Sequence, residues 1–235
     1  MNQQQIVVMI FEFVVLIFAF CIHEAAHAWM AARLGDPTAM MLGRVTLNPM
    51  KHIDPWGSIV IPIIGIVSGG MLVGWAKPCP VTPRNFRSYK RDDILVSVAG
   101  PATNLLLAVV TVFILIVMKH MNANAALDVQ LVMAQMVLPP EQSSSVLFPI
   151  ILLLYIAMLV NLSLFIFNLI PVPPLDGSRV LRHFLPYNAL KAYDSLGIYG
   201  FIVVFFILPL VIHINIFWML FGPARAVFEQ VLFAA

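Results

Sequence analysis

Charged residues are scarce in this chain of 235 amino acids. Asp, Glu, Lys and Arg make up 10% of it, whereas hydrophobic residues make up 61% and the mean hydropathy is +0.96. A soluble domain usually carries about 25% charged residues. A chain with so little charge cannot hide its apolar surface in one water-facing globule, so we expect an integral membrane protein.

Cysteine is also rare, and Cys21 and Cys79 are the two copies. They form no CxxC pair and no disulfide framework, so both are expected to be free thiols. The net charge of +2 comes from few basic residues, which fall in loops, and we expect no nucleic-acid partner. The opening MNQQQ lacks the basic segment of a signal peptide, so we expect no cleavable leader.

Four apolar runs are long enough to cross a bilayer, which takes about 20 residues. They cover about residues 6–34, 94–118, 146–170 and 198–221, the last with Pro209 inside it. A fifth stretch, IVIPIIGIVSGGMLV at 59–73, is short and is broken by proline and glycine. Its β-branched residues favour a hairpin or a re-entrant loop, and a fifth helix is the alternative.

The predicted fold is therefore an all-α membrane protein of about four transmembrane helices. A membrane-associated β-hairpin or re-entrant segment over residues 43–75 completes one domain that spans 1–235. In the loop 119–145, the pattern LDVQLVMAQMVL suits either a short helix on the membrane surface or an ordinary loop.

Basic residues predict the orientation of these spans. Counting Arg33 at the end of the first run, eleven of the thirteen Lys and Arg residues lie between the first and second runs or between the third and fourth. The positive-inside rule places that side in the cytoplasm. Both termini are then expected outside, and the expected location is a prokaryotic inner membrane.

A metal-binding pattern, HEAAH, occupies residues 23–27 near the cytoplasmic end of the first run. On a helix, His23 and His27 lie on one face, one turn apart, where two imidazoles can hold one zinc ion. Glu24 between them is placed to take a proton from zinc-bound water. Ionisable residues inside membrane helices are costly and usually functional, which favours a metal site over chance.

A third ligand candidate, Asp176, ends the stretch NLIPVPPLDG that closes the third run. The prolines cannot continue a helix, so the carboxylate follows a stiff extended segment. Asp176 is either a metal ligand or the cap of the helix that follows. The third run ends on the same side of the membrane as the first, which brings Asp176 to the side of the histidines. A fifth span at 59–73 would place Asp176 on the opposite side.

Together these motifs resemble the site-2 protease family of zinc metallopeptidases. Besides HEAAH and NLIPVPPLDG, the stretches GRVTLNPMKHIDPWGSIVIP, GWAKPCPVTPRNF and GPATN fit the family, and the resemblance covers about residues 6–182. It implies one zinc ion per chain with Glu24 as the general base. The implied ligands are His23, His27 and Asp176.

The resemblance also implies two asparagine roles and a mode of substrate binding. Asn168 would contact the substrate carbonyl or the oxyanion, and Asn104 would be a second substrate-contacting residue. The stretch 43–73 would pair as a strand with unwound substrate. The expected partners are the lipid bilayer and membrane proteins with a transmembrane helix. We expect no inserted PDZ-like domain and no cystathionine-synthase-type regulatory domain.

The predicted activity is hydrolysis of peptide bonds in or near transmembrane segments. A metal-binding transporter is one alternative, although its polar groups would extend across the full membrane depth. A catalytically inactive homologue is the other, although Glu24 is present. His52 and Asp54 are interpreted as parts of a structural turn rather than ligands, and His213 as a hydrogen-bonded interior residue.

Overall fold

The structure, a computed structural model, describes residues 3–67, 74–121, 123–135, 146–213 and 216–234, which are mainly helical and contain no β-strand. Three of their helices are long and apolar enough to cross a membrane, and a bent pair would make a fourth. The helices in chain order are α1 (Gln3–Arg33), α2 (Thr38–Met41), α3 (Ile61–Val67), α4 (Tyr89–Lys119), α5 (Ala123–Gln135), α6 (Phe148–Leu169), α7 (Asp176–Arg182), α8 (Tyr187–Ile202), α9 (Leu208–Ile212) and α10 (Ile216–Ala234).

The helices α1, α4 and α6 form the centre of the bundle and confirm three of the predicted runs as helices. Each is a long apolar stretch without an internal stop signal, apart from Pro101 in α4. At 1.5 Å per residue, the 31 residues of α1 extend about 46 Å. Gly35, with φ of +109°, ends α1 in the left-handed conformation, and the Asp36 amide donates to Ala31 O at 2.9 Å.

One end of the bundle, which we call the Lys119 end, is closed by buried apolar side chains from five helices. Lys119 Nζ donates to the carbonyls of Leu232 (3.0 Å) and Phe233 (2.8 Å), which brings the end of α10 to the end of α4. The apolar cluster beneath includes Val15, Val112, Leu115, Met118, Val129, Ile151, Ile156, Met158 and Leu232.

A polar contact within the same end joins α6 to α10. Tyr155 is 1% exposed, and its hydroxyl donates to the Glu229 carboxylate. Arg225 Nε donates to the same oxygen at 2.8 Å. Because the Glu229 carboxylate has both a cation and a hydroxyl donor, its charge is compensated within the core.

The opposite end, which we call the Arg33 end, is held by two buried aspartates. Asp93 of α4 accepts hydrogen bonds from Arg179 and from His183 Nε2 (2.7 Å), which fixes α7 against α4. Asp36, fully buried after α1, accepts from the amides of Thr38 and Thr82 and from two side chains. The loop that precedes α4 is thereby tied to the end of α1.

The β-hairpin predicted within residues 43–75 is not found in their described part. Pro55–Val60 forms a π-helical turn that continues directly into α3. The Asp54 carboxylate caps this turn by accepting from the amides of Trp56 (3.1 Å) and Gly57 (2.7 Å). A capping aspartate followed by proline starts a helix, and this local signal outweighs the strand preference of the β-branched residues.

Gly57 in the π-helical turn and Trp75 after the turn and α3 are in contact, as the two ends of a re-entrant loop would be. The Trp75 amide donates to Gly57 O at 3.1 Å, and the Trp75 indole lies where a side chain on Gly57 would be. By Trp75 the chain has therefore returned to the π-helical turn. Residues 68–73 lie outside the described residues.

The fourth apolar run, 198–221, is not one helix, so its predicted bounds are wrong. The helix starts earlier and bends by 74° between Tyr187–Gly197 and Tyr199–Val211, with φ of +45° at Gly197. His213, in the left-handed conformation at φ of +55°, ends α9. It is exposed, so the interior position predicted for it is also wrong. Hydropathy averages over such single-residue breaks and does not detect them.

The loop 119–145 contains the helix that was one of the two alternatives for it. In α5, Ala125, Val129 and Val132 are almost fully buried against the apolar cluster of the Lys119 end. Residues 136–145 lie outside the described residues, and the position of α5 relative to a membrane surface stays a prediction.

Replacing Asp36 by Asn should loosen the Arg33 end. Burial alone would raise the pKa of Asp36, but hydrogen bonds from Thr38, Thr82 and Asn85 lower it below its usual value. The carboxylate therefore stabilises the fold above its unfolded pKa of about 4, and this stabilisation is lost as pH falls through the folded pKa. We expect thermal unfolding in detergent to shift down by about 3–6 °C at pH 7.

Limited trypsin digestion provides an independent readout, because Arg84 and Arg87 lie in the loop that Asp36 holds. Cleavage there should accelerate in Asp36→Asn. The matched control is Asp194→Asn, which removes an exposed ion pair with Arg182 and should change neither quantity. Equal effects of both substitutions would contradict this role of Asp36.

Candidate metal centre

Three potential metal ligands converge where α1, α4 and α7 meet. His23 Nε2 lies 3.0 Å from His27 Nε2 and 3.1 Å from Asp176 Oδ2, and His27 Nε2 lies 3.2 Å from the same oxygen. The aspartate is 153 residues from His23 in sequence. All three side chains are buried or mostly buried. Among the described residues, they are the one group of three or more His, Cys, Asp or Glu side chains close enough together to hold a metal ion.

The His27 ring is oriented by a backbone carbonyl of α4. Its Nδ1 lies 2.7 Å from Val96 O, which can only accept, so Nδ1 carries the proton. In the neutral ring, Nε2 then presents its lone pair to the centre. The ring is 5% exposed, and α4 prevents it from turning.

Gly100 allows α4 to come this close to both rings. A Cβ at this position would lie 2.7 Å from His23 Nε2 and closer still to His27 Nε2. These distances are far below van der Waals contact. The glycine of GPATN is therefore required by the space that the two imidazoles occupy, not by backbone conformation.

The His23 ring is oriented through two asparagines. Its Nδ1 lies 2.7 Å from Asn104 Oδ1, and Asn104 Nδ2 donates to Asn161 Oδ1 at 3.1 Å. Asn161 Nδ2 donates in turn to Ala157 O at 2.8 Å. Asn161 was not among the predicted site residues, although a polar residue two turns before Asn168 in an apolar helix is a signal for such a role.

Asp176 arrives on the segment that follows α6. The helix ends at Leu169, and Ile170 is already extended, because Pro171 cannot continue it. Asp176 is the first residue of α7, whose neighbouring Gly177 sits so close to Leu169 O that a side chain there would clash. The carboxylate is thus placed by the tight junction of α6 and α7.

Glu24 lies beside the triad and contacts a different segment. Its Oε2 accepts from the Cys79 amide at 2.7 Å. The glutamate is half-buried, and no ion pair joins it to any described residue. Glu24 thus lies one residue from a ligand candidate, with one carboxylate oxygen held by a backbone amide.

The three ligand candidates fit one zinc ion. Zinc binds imidazole nitrogen and carboxylate oxygen at about 2.0–2.2 Å, which puts tetrahedral ligand atoms about 3.3–3.6 Å apart. The observed separations of 3.0 to 3.2 Å are slightly shorter than that spacing. Both Nδ1 atoms are engaged by acceptors outside the centre, which is the usual arrangement around ligating histidines.

Other residues considered in the sequence lie outside the triad. Asn168 Nδ2 donates to Leu164 O of its own helix at 3.0 Å, and its predicted contact with substrate stays a prediction. His52 Nε2 donates to Thr46 O at 3.0 Å, and burial lowers the pKa of this imidazole. Asp54 caps the π-helical turn. His52 and Asp54 of the HIDP stretch therefore serve a structural turn, as expected, and not the metal site.

Such a site, with two histidines on one helical turn, a glutamate between them and a third ligand from a distant segment, defines a metalloprotease. The chain belongs to peptidase family M50, the site-2 protease family, whose profile matches residues 11–210. The family and the names of the relatives support zinc as the metal.

Relatives with provisional names as zinc metalloproteases are similar to this chain over 40% to 84% of its length. YwhC of Bacillus subtilis is 39% identical over 201 residues, which cover 84% of this chain and 80% of YwhC. Rip2 of Mycobacterium tuberculosis is 28% identical over 81% of this chain and 64% of its own. Rip2 of Mycolicibacterium smegmatis is 37% identical over 40% of this chain and 35% of its own. No solved structure matches the chain significantly.

Substituting Gly100 by Ala should prevent metal binding. The methyl group would occupy the space between the two imidazoles, so α4 or the rings must move by more than the site can absorb. We expect zinc per chain, measured by atomic emission on purified protein, to fall close to zero.

Gly222→Ala is the matched control, because a Cβ at Gly222 in α10 meets nothing within 4 Å. It should bind as much zinc as the parent chain. Full zinc occupancy in Gly100→Ala would show that the rings are not held as the structure has them.

The Cys79 thiol should react slowly with alkylating reagents. Burial, and next the Glu24 carboxylate, raise the pKa of Cys79 to about 12. Against an ordinary thiol, this lowers the thiolate fraction at pH 8 by about 1,000-fold. The variant Cys21→Ala has Cys79 as its one thiol. In this variant, maleimide labelling of the folded protein should be at least about 1,000-fold slower than labelling of free cysteine, and it should become rapid once the protein is unfolded. Labelling at the rate of free cysteine would contradict this environment.

Proposed function

We propose that the protein is an intramembrane zinc metalloprotease that hydrolyses peptide bonds in or near transmembrane segments of membrane-anchored proteins. The observation that carries the proposal is the convergence of His23, His27 and Asp176 beside Glu24, in a bundle whose long helices are apolar enough to cross a membrane. We propose one zinc ion per chain, held by these three ligands.

The chemistry divides between the metal and Glu24. When bound, zinc supplies an acidified water and a polarised carbonyl. Glu24 Oε2 is engaged by the Cys79 amide, whereas Oε1 has no partner among the described residues. We assign Oε1 as the atom that takes the proton from the attacking water and passes it to the leaving amine.

Asn168 is proposed to donate to the oxyanion. It lies on the last turn of α6, eight residues before Asp176, and the same turn leads into the segment that delivers the ligand. Its amide must first exchange Leu164 O for the substrate oxygen. Such preorganised donors often supply the largest single contribution to the rate.

An extended segment from Gly74 to Val81 lies next to this centre. The amides of Trp75, Lys77 and Cys79 donate to Gly57 O (3.1 Å), His52 O (2.8 Å) and Glu24. Alternate residues bonded on one side are typical of extended chain, in which the intervening residues face the other way. The segment therefore presents a second backbone edge beside Glu24.

The same segment lies against two of the three long helices. Ala76 is buried in a cluster with Leu16, Ala19 and Phe20 of α1 and Leu164 of α6. A substrate helix must unwind to expose its peptide bonds, and its freed amides then need acceptors. We propose that the second edge of this segment, rather than a strand in residues 43–73, accepts them.

The proposed orientation places the Arg33 end at the cytoplasmic side. Eleven of the thirteen Lys and Arg residues lie in segments that connect at or near this end, in accord with the positive-inside rule. The metal centre lies six to ten residues before the end of α1, about 9–15 Å along the helix, so water has a short path to it. Both chain ends are then outside, and the location is an inner membrane.

Glu24→Gln should abolish proteolysis while zinc stays bound. The amide cannot accept the water proton, but the three ligands are unchanged. Purified protein in detergent would be incubated with a model protein that carries one transmembrane helix, and fragments would be quantified by mass spectrometry. We expect cleavage by the parent chain, loss of at least about 100-fold in Glu24→Gln, and loss on chelation that added zinc restores.

The controls separate the alternatives to an enzyme. Gln5→Ala, at the far end of α1 from the centre, should leave cleavage unchanged. Zinc binding without cleavage of any tested transmembrane substrate would favour an inactive homologue or a metal transporter. Cleavage that persists in Glu24→Gln would reject the assigned base.

A further inference from the structure

The asparagine pair on α4 and α6 connects the metal centre to the middle of the bundle. Asn104 is 1% exposed and Asn161 is 4% exposed, and neither contacts solvent to any useful extent. Both polar atoms of Asn104 are engaged within the protein, one by His23 and one by Asn161. Asn104 therefore has a protein partner at each of its polar atoms, and its predicted contact with substrate stays a prediction.

The hydrogen bonds that link His23, Asn104, Asn161 and Ala157 form a series, and the last acceptor, Ala157 O, sets the direction of each of them. Ala157 O is a carbonyl and can only accept, so Asn161 must present its amide nitrogen there. Asn161 Oδ1 then faces Asn104, which must present its own nitrogen. Asn104 Oδ1 is left to face His23 Nδ1, which must carry the proton.

The geometry points to Asn104 and Asn161 as a two-residue relay that positions His23 for metal binding. By placing the proton on Nδ1, the relay leaves the Nε2 lone pair directed at the centre. Asn104 acts on the ligand directly, and Asn161 acts through Asn104, so both are positioning residues. The inference rests on the proposed zinc site and extends it to residues that are not themselves metal ligands.

The relay gives His23 the same constraint that a carbonyl gives His27. Val96 O fixes one ring with a single bond, because a backbone carbonyl cannot be reversed. An asparagine amide can be flipped, so Asn104 alone would not decide which His23 nitrogen is protonated. Asn161, anchored to a carbonyl, removes that ambiguity.

Zinc affinity, measured by competition with a chromophoric chelator in detergent, tests the relay without any proteolysis assay. Asn104→Leu should weaken zinc binding by about 10- to 100-fold, the usual effect of losing a partner of a ligating histidine. Asn161→Leu should weaken it by about 10-fold. In the double variant the effect should equal that of Asn104→Leu alone, because Asn161 has no route to the metal once Asn104 is gone.

Three further measurements separate positioning from packing. Asn161→Asp retains an oxygen toward Asn104 and, when protonated, a donor toward Ala157 O, and it should restore affinity to within about 3-fold of the parent chain. Thr111→Val, a buried substitution in α4 whose hydroxyl bonds only within that helix, should leave affinity unchanged. Cobalt-loaded Asn161→Leu should show altered visible absorption bands, which report ligand geometry.

The outcomes distinguish this inference from the proposed function. If the parent chain binds no zinc, the zinc site itself is rejected. If the parent chain binds zinc and the leucine variants, shown to be folded by circular dichroism, bind it equally well, only the relay is rejected. Additive losses in the double variant would also overturn the relay, because they would show two independent packing effects.

Discussion

The immobilisation of two imidazole rings by acceptors on a neighbouring helix is the constraint on which the rest of the site depends. Two histidines one turn apart on an isolated helix can rotate freely and can protonate at either nitrogen. Here Val96 O and Asn104 Oδ1, both on α4, hold the Nδ1 atoms at 2.7 Å. A ring so held has one tautomer and one direction for its lone pair, and a metal ligand needs both.

That constraint determines how closely the helices pack. The acceptors reach the rings only because α4 approaches α1 at Gly100, where any side chain would collide with both imidazoles. The third ligand is brought in by α7, which Asp93 ties to the same helix through Arg179 and His183. α4 therefore contributes none of the three ligand candidates, yet it holds all three in place.

The sequence was sufficient to predict the features that follow from composition and spacing. The three long helices, the pairing of His23 with His27 and the arrival of Asp176 at the same end all follow from apolar length and chain parity. It did not predict features that depend on single local contacts. The Asp54 cap turned expected strand into helix, and left-handed His213 divided an apolar run that hydropathy joins. Asn161 was overlooked because its importance lies in a partner 57 residues away.

The extended segment beside Glu24 has an asymmetry that bears on the behaviour of the purified protein. On its second edge, Pro78 and Pro80 have no amide hydrogen, and of the residues facing that way only Gly74 and Ala76 retain a donor. Two such edges from different molecules would oppose carbonyl to carbonyl and repel. Homotypic strand exchange is therefore discouraged at this edge, whereas a chain rich in unpaired amides meets a row of acceptors.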